Sequence, residues 1–436
     1  MTRKICNVFG FTGILLALPA VAFAEAESGI DSGDTGFMLV AMAFVLLMTP
    51  ALGFYYGGMG RAKNMLNVLM MCIVLLGITS VQWAAFGYST AFAPTVNGFF
   101  GGSDFWFMNG VTVEPYADYA PTIPAELFSM YQMVFVMITS AIIGGAVAGR
   151  MKFPAFCLLM FFWMSLVYEP LCHMVWAKGG FIGELGALDF AGGTVVHISS
   201  GVSGLVAALI LGKRYGYPVM SFRPHNLPFV TLGFAFLWFG WIAFCGGCAL
   251  NAADAVHPIM TTNTAAGMGM LTWMLIEKVR IGKMTILGAC TGAISGLVGI
   301  TPSCGFVTVG GAILIGMITT CVCYFGIVVL KTKLGYDDAL DAFGCHGIGG
   351  MCGAMLTGVF CSSAVNSACP DGLFYGNPEQ LLPQLASVII TIALAAGFTF
   401  LIIKGIGLFM QVRATEEEEK AGMDYCEHDE TSYSSL

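Results

Sequence analysis

The sequence predicts an all-α polytopic membrane protein: eleven transmembrane helices, arranged as a 5+5 inverted repeat plus one extra helix. Three observations carry this. The 436 residues are 57% hydrophobic and only 10% charged, against roughly 25% charged in soluble domains, and the mean hydropathy is +0.82. Eleven apolar runs reach or approach the ~20 residues that span a bilayer. One pattern, D-x7-H-x3-G-x2-G, occurs twice: Asp189, His197, Gly201 and Gly204, then Asp338, His346, Gly350 and Gly353.

The first element is a leader over residues 1–24. Arg3 and Lys4 form a positive start, an apolar run follows, and Ala22-Phe23-Ala24 is a small-x-small cleavage site. The mature N-terminus is therefore expected outside. The spans follow at about 36–58, 65–90, 122–149, 153–176, 191–212, 226–247, 258–277, 284–302, 308–330, 343–361 and 381–408. Charge tests this order independently, because short loops rich in Lys and Arg stay inside. Of the sixteen Lys and Arg after the leader, fourteen fall after odd-numbered spans or in the tail, Lys404 lies at the inner end of the eleventh span, and only Lys178 falls outside. The expected location is a bacterial inner membrane, multi-pass, with the N-terminus outside and the C-terminus cytoplasmic.

The membrane domain covers 25–410, with halves at about 36–212 and 226–361 and the extra helix at about 381–408. Five helices per half invert the second half relative to the first, an arrangement common among transporters. Tyr55-Tyr56-Gly57-Gly58 is echoed by Phe244-Cys245-Gly246-Gly247 at the ends of the first and sixth spans. Small residues such as Gly144-Gly145-Ala146 let backbones approach closely in lipid, which suits a tight bundle. Residues 411–436 form a polar, acidic cytoplasmic tail; on composition alone it reads as a solvated end.

Inside the spans few ionisable side chains accompany His197 and His346, and no Lys or Arg stands at a span's centre. A histidine in hydrocarbon is costly without a partner or a task, and its recurrence at matched spacing favours a task. A proton-coupled carboxylate relay and a metal path both lack their side chains, so no metal or cofactor is expected. Two neutral imidazoles facing each other each offer one donor and one acceptor. They suit a narrow passage for a small hydrogen-bonding molecule, or a proton relay. Asp189 is positioned to cap the fifth helix, with a negative field at the outer mouth as its functional reading. Phe135, Trp176, Trp241 and Phe244 are core residues or, if they converge, a cation-holding vestibule. Cys245-Gly246-Gly247-Cys248 closes an apolar helix, with no second ligand pair to suggest redox or metal use. Most of the fifteen cysteines lie in apolar spans as small hydrophobes; Cys361 and Cys369 flank an outside loop and are the candidates to pair.

Several segments together resemble the Amt/Mep/Rh family on its bacterial Amt side. They are FYYGGMGRAKN (54–64), HMVW (173–176), LDFAGGTVVH (188–197), LVAALILGKR (205–214), RPHNLP (223–228), LGACTGAISGLVGITPSCGFV (287–307) and DDALDAFGCHGIGG (337–350). The resemblance implies an eleven-helix homotrimer with one pore per subunit, which recruits ammonium at an outer aromatic site, deprotonates it and conducts ammonia past twin histidines. It implies that Phe135 is the outer gate and recruitment ring, Trp176 its vestibule partner, Phe244 the second gate with Trp241 nearby, His197 and His346 the pore and proton-relay pair, and Asp189 an acid near the recruitment site. Ammonium and ammonia, with methylammonium as a further candidate, are the implied solutes. A PII-type regulatory protein is the implied partner of the tail, and no nucleic acid is expected. The chain departs from the family where Cys245 and Cys248 stand in place of an asparagine and a serine. A thiol accepts hydrogen bonds less well than a hydroxyl, which makes an ammonium receptor signalling through its tail the alternative function. With no kinase or cyclase pattern after the spans, a fused signalling domain is not expected.

Overall fold

A computed structural model describes residues 29–433; the expected leader lies outside the described residues. Eleven long helices follow one another: α1 (Ser32–Met59), α2 (Ala62–Phe92), α3 (Ala125–Val147), α4 (Phe153–Glu184), α5 (Gly193–Leu211), α6 (Leu227–Gly247), α7 (Ala252–Ile281), α8 (Ile286–Ile300), α9 (Val309–Leu334), α10 (Phe343–Phe360) and α11 (Pro378–Ile406). Among the described residues, nine are long and apolar enough to cross a membrane. The other two are α8, which is short, and α7, which carries Asp254, His257, Glu277, Lys278 and Arg280 towards its ends. Helix α7 outruns the apolar run at 258–277 because its caps lie beyond it. Asn251 accepts from the Asp254 N–H at one end, and Gly282 closes the other at φ +76°.

The two halves pack alike. In each, the first helix lies on the second and third, the second on the third and fourth, and the third on the fifth. Helix α11 crosses α4 and α5 of the first half and α10 of the second. The halves meet along α1 and α6, where a Cβ on Gly233 would lie 2.3 Å from the Tyr55 nitrogen and one on Gly240 2.3 Å from Met48 Cγ. They meet again at the repeated motif. A Cβ on Gly201 would lie 2.2 Å from the Gly347 nitrogen, and one on Gly350 would lie 3.0 Å from His197 Cβ. The glycine one turn after each histidine is thus the surface on which the other half's histidine segment rests.

The tail does not follow its composition. Residues 415–428 form α12 (Glu416–Ala421), opened by a Thr415–Glu418 capping box, and α13 (Met423–His428). Both lie against the face that carries the basic loops. The Met423 N–H donates to Asn64 Oδ1 at 2.9 Å, the Asn67 N–H to Asp424 Oδ1 at 2.8 Å and the Tyr215 N–H to Glu419 Oε2 at 2.7 Å. Arg413 binds Glu419, and Lys152 binds Glu418 and Glu427. Acidic residues that look solvated in sequence have specific donors here. Beneath them Asp337 is buried between Arg214, which reaches it at 2.6 Å, and Arg150. Burial alone would raise the Asp337 pKa, but the hydrogen bonds and charge of Arg214, with Arg150, hold it below the ordinary carboxylate value. Burial lowers Arg150 to about 10, which leaves it charged at neutral pH. Cys361 and Cys369 are free thiols.

Candidate conduction site

Both histidines sit in helical turns wound more widely than α, π-type turns over Gly193–Ile198 and Phe343–Gly347. Such turns are frequent at functional sites because they re-aim a side chain. Each is started by the aspartate of its motif. Asp189 accepts from the N–H groups of Gly192, Gly193 and Thr194 at 2.7–2.8 Å, from Val195 at 3.4 Å and from the Thr194 hydroxyl. Asp338 accepts from Ala342 at 3.1 Å and Phe343 at 2.8 Å. Burial pushes both carboxyls up; backbone donors pull each back, and for Asp338 Lys331 adds to them. The Asp189 carboxylate therefore faces its own helix start, and its backbone carbonyl accepts from Trp176 Nε1 at 2.8 Å. It fixes both the histidine turn and the Trp176 ring.

The two imidazoles meet at the centre. His346 Nδ1 lies 3.2 Å from His197 Nδ1, with ring centroids 5.2 Å apart. Beside them is a chamber of about 20 Å³, lined by Met48, Leu52, Tyr55, Ile138, Ile142, Val196, Leu237, Trp241, Phe244, Ile294 and both histidines. One water needs roughly 10–15 Å³ measured this way, so the chamber holds about one water-sized molecule. Apart from the imidazoles and Tyr55, the lining side chains are apolar, Met48 and Trp241 among them.

The four aromatic residues converge. Phe135 and Phe244 stack with centroids 4.1 Å apart at 19°, and Trp176 meets Phe135 edge-on at 6.3 Å. Above them a recess of about 210 Å³ is lined by Phe92, Asp118, Tyr119, Phe128, Gln132, Trp176, Phe190, Cys248 and Leu250. Phe244 lines the chamber, and Phe135, stacked on it, is 1% exposed. Trp241 lies deeper, stacked on His197 at 5.3 Å. Cys248 is half-buried in the recess, and its thiol donates to the Phe244 carbonyl at 3.3 Å. Cys245 is fully buried and lies 4.0 Å from the Thr301 hydroxyl.

Three further residues belong to this site. Tyr131 donates to the Ala243 and Phe244 carbonyls at 2.9 Å and lies 3.9 Å from Cys248 Sγ, so it holds the end of α6 in place. Thr301 touches both His197 and Trp241. Tyr55 lines the chamber with its hydroxyl 3.4 Å from Thr291 Oγ1. Tyr55 had a signal in the sequence, since it stands where Phe244 stands in the echoed Tyr-Tyr-Gly-Gly segment. Tyr131 and Thr301 had none.

A bundle of apolar spans enclosing a chamber for one small molecule, with paired imidazoles in its wall, defines a membrane transporter. The pattern described as Ammonium Transporter Family matches residues 36–433. An ammonium transporter of Bacillus subtilis is 50% identical over 405 residues, 93% of this chain and 99% of the relative. Ammonium transporter Amt1 of Archaeoglobus fulgidus is 40% identical over 93% of this chain and 100% of its own length. The crystal structure of Saccharomyces cerevisiae Mep2 superposes with a TM-score of 0.84 at 36% identity, covering 90% of this chain and 89% of Mep2. A solved structure titled Sensor Amt Protein superposes at 0.83 and 27% identity, over 91% and 98% of the two chains. The chain belongs to the ammonium transporter family: it is a multi-pass membrane protein with ammonium as its substrate, and not an enzyme.

Proposed function

We propose that the protein gathers ammonium in the outer recess, deprotonates it with the imidazole pair as the proton acceptor, and conducts ammonia through the chamber past His197 and His346. The chamber is the observation that carries this reading. It admits one water-sized molecule and offers a cation no carboxylate, so a charged ammonium ion pays heavily for desolvation. Neutral ammonia does not, and it hydrogen-bonds to imidazole. In the recess the face of Trp176 attracts the cation at roughly 0.5–2 kcal/mol, with Cys248 as a weak polar contact, and Phe135 adds its face as the gate opens. Asp189 contributes negative charge near the mouth and holds Trp176. Phe135 and Phe244 form the gate, with Trp241 below it. The proton follows along the imidazole pair, which makes transport electrogenic.

The architecture belongs to the same proposal. The matched packing of the halves and the matched contacts of Gly201 and Gly350 support eleven spans in an inverted 5+5 repeat with α11 outside it. The distribution of Lys and Arg supports an outside N-terminus, a cleaved leader at 1–24 and a cytoplasmic tail over 411–436. The ordered tail is the surface offered to a PII-type partner, and family membership supports the homotrimer. Methylammonium is a further solute of the same class.

Sensing is the second reading, favoured by Cys245 and Cys248 at positions where the family carries better hydrogen-bonding side chains. Ammonium pulses on proteoliposomes separate the two. Transport predicts a current that saturates with ammonium; binding without current or uptake would leave only the receptor.

A further inference from the structure

The polar contacts around Thr301 decide which nitrogen of each histidine holds its proton. Thr301 sits just past the end of α8, on the Asp189 side of the pair, where the neighbouring Pro302 carbonyl accepts from the Phe190 N–H at 2.9 Å. Its hydroxyl has one proton to give. That proton goes back to the Leu297 carbonyl at 2.7 Å, an acceptor that offers nothing in return. The Thr301 oxygen can therefore only accept from its other neighbours. Trp241 Nε1, which is always a donor, lies 3.0 Å away. His197 Nε2 lies 3.3 Å away. The Cys245 thiol, at 4.0 Å, is a weak third contact.

We infer that Thr301 is a positioning residue that fixes the tautomer of the histidine pair, holding His197 as its Nε2–H form. A bare Nε2 would set a nitrogen lone pair against an oxygen that has no proton left to offer. With Nε2 protonated, neutral His197 keeps Nδ1 as an acceptor. The 3.2 Å contact between the two Nδ1 atoms then forms only if His346 is the donor. His346 is accordingly the Nδ1–H form and its Nε2 is bare. No described residue hydrogen-bonds to that nitrogen, and the His346 ring lines the chamber.

The pair thus rests with a direction. The hydrogen on the Asp189 side is committed to Thr301, the shared hydrogen points from His346 to His197, and the one free acceptor is His346 Nε2. A small amine passing the pair meets an acceptor for its N–H. The same hydroxyl also holds Trp241, whose ring stacks on His197 at 5.3 Å. A single oxygen therefore orients the imidazole through both a hydrogen bond and a stacked neighbour.

This rests on the proposed role of the pair but is read by a measurement that needs no transport, so the two fail separately. The probe is nitrogen NMR of the full chain labelled with ¹⁵N-histidine in lipid bilayers, with His197 and His346 assigned by single substitution. The expected result is a protonated Nε2 and bare Nδ1 on His197, and the opposite on His346. Thr301→Val, which keeps the shape and removes the oxygen, is expected to lose the single His197 form and give a mixture, while Thr301→Ser restores it. Wild-type His197 in the Nδ1–H form would overturn the inference, as would a Thr301→Val protein with the wild-type tautomers. The wild-type spectrum alone decides the first point if Thr301→Val fails to fold.

Discussion

Substituting Gly201 by alanine tests whether the closeness of the two halves sets the histidine pair. The added Cβ would lie 2.2 Å from the Gly347 nitrogen and 2.4 Å from its Cα, whereas ordinary contact begins at 3.4 Å. Both atoms met are backbone, so no side chain can swing aside. The helices must part by about the difference between those distances, and overpacking of this kind costs about 1–3 kcal/mol. Gly347 directly follows His346, so the same movement stretches the 3.2 Å contact between the imidazoles beyond the ~3.2 Å upper end of ordinary hydrogen bonds. Losing about 1.4 kcal/mol of orientation is worth tenfold. Uptake into proteoliposomes is therefore expected to fall at least about tenfold, with a lowered thermal midpoint in detergent. Gly204→Ala meets the Ala146 Cβ at 3.0 Å and the Ala342 Cβ at an ordinary 3.9 Å, and Gly397→Ala meets nothing within 4 Å. They should show a small effect and none. A Gly201→Ala protein with wild-type midpoint and wild-type uptake would refute the reasoning.

Cys248→Ser puts a better acceptor into the outer recess and should lower the ammonium concentration for half-maximal uptake; an equal or higher value would count against the role given to that position. Tyr131→Phe removes the donor shared by the Ala243 and Phe244 carbonyls, a loss of about 0.5–1.5 kcal/mol for one buried hydrogen-bonding group. It should lower the thermal midpoint and weaken apparent ammonium affinity, since Cys248 and Phe244 ride on the end of α6; unchanged values for both would show that the hydroxyl holds nothing. Asp337 is held below its ordinary pKa, so its contribution is fully present above the unfolded value and fades as pH falls through the folded one. Thermal midpoints should therefore drop below roughly pH 4 in the wild type and less steeply in Asp337→Asn, and parallel profiles for the two proteins would contradict this.

What the sequence discloses here follows from repetition. A motif that occurs twice at one spacing defines a register between halves, so Asp189 with His197 and Asp338 with His346 can be matched by spacing alone. The two imidazoles then lie 3.2 Å apart, and Tyr55 opposite Phe244 follows from the weaker echo. The apolar runs locate the helices for a similar reason, because the bilayer sets one length for all of them. Residues that act across helices through a single atom leave no such trace. Thr301 is one threonine at the end of a small-residue helix, and its meaning arises only where α6 and the α5 turn reach its oxygen. Tyr131 reads in sequence like any buried aromatic; its role comes from a hydroxyl placed on the α6 carbonyls. The tail shows the opposite difficulty: its acidic composition is real, but partners such as Asn64, Asn67 and Tyr215 stand hundreds of residues away in the chain.

The central claim is that the imidazole pair forms the conducting path, and ammonium-evoked current measured together with uptake tests it most directly. In proteoliposomes carrying His197→Ala or His346→Ala at wild-type protein density, the current is expected to be abolished, or to lose its selectivity for ammonium, while the fold survives. Unchanged current and unchanged selectivity in both variants would contradict it.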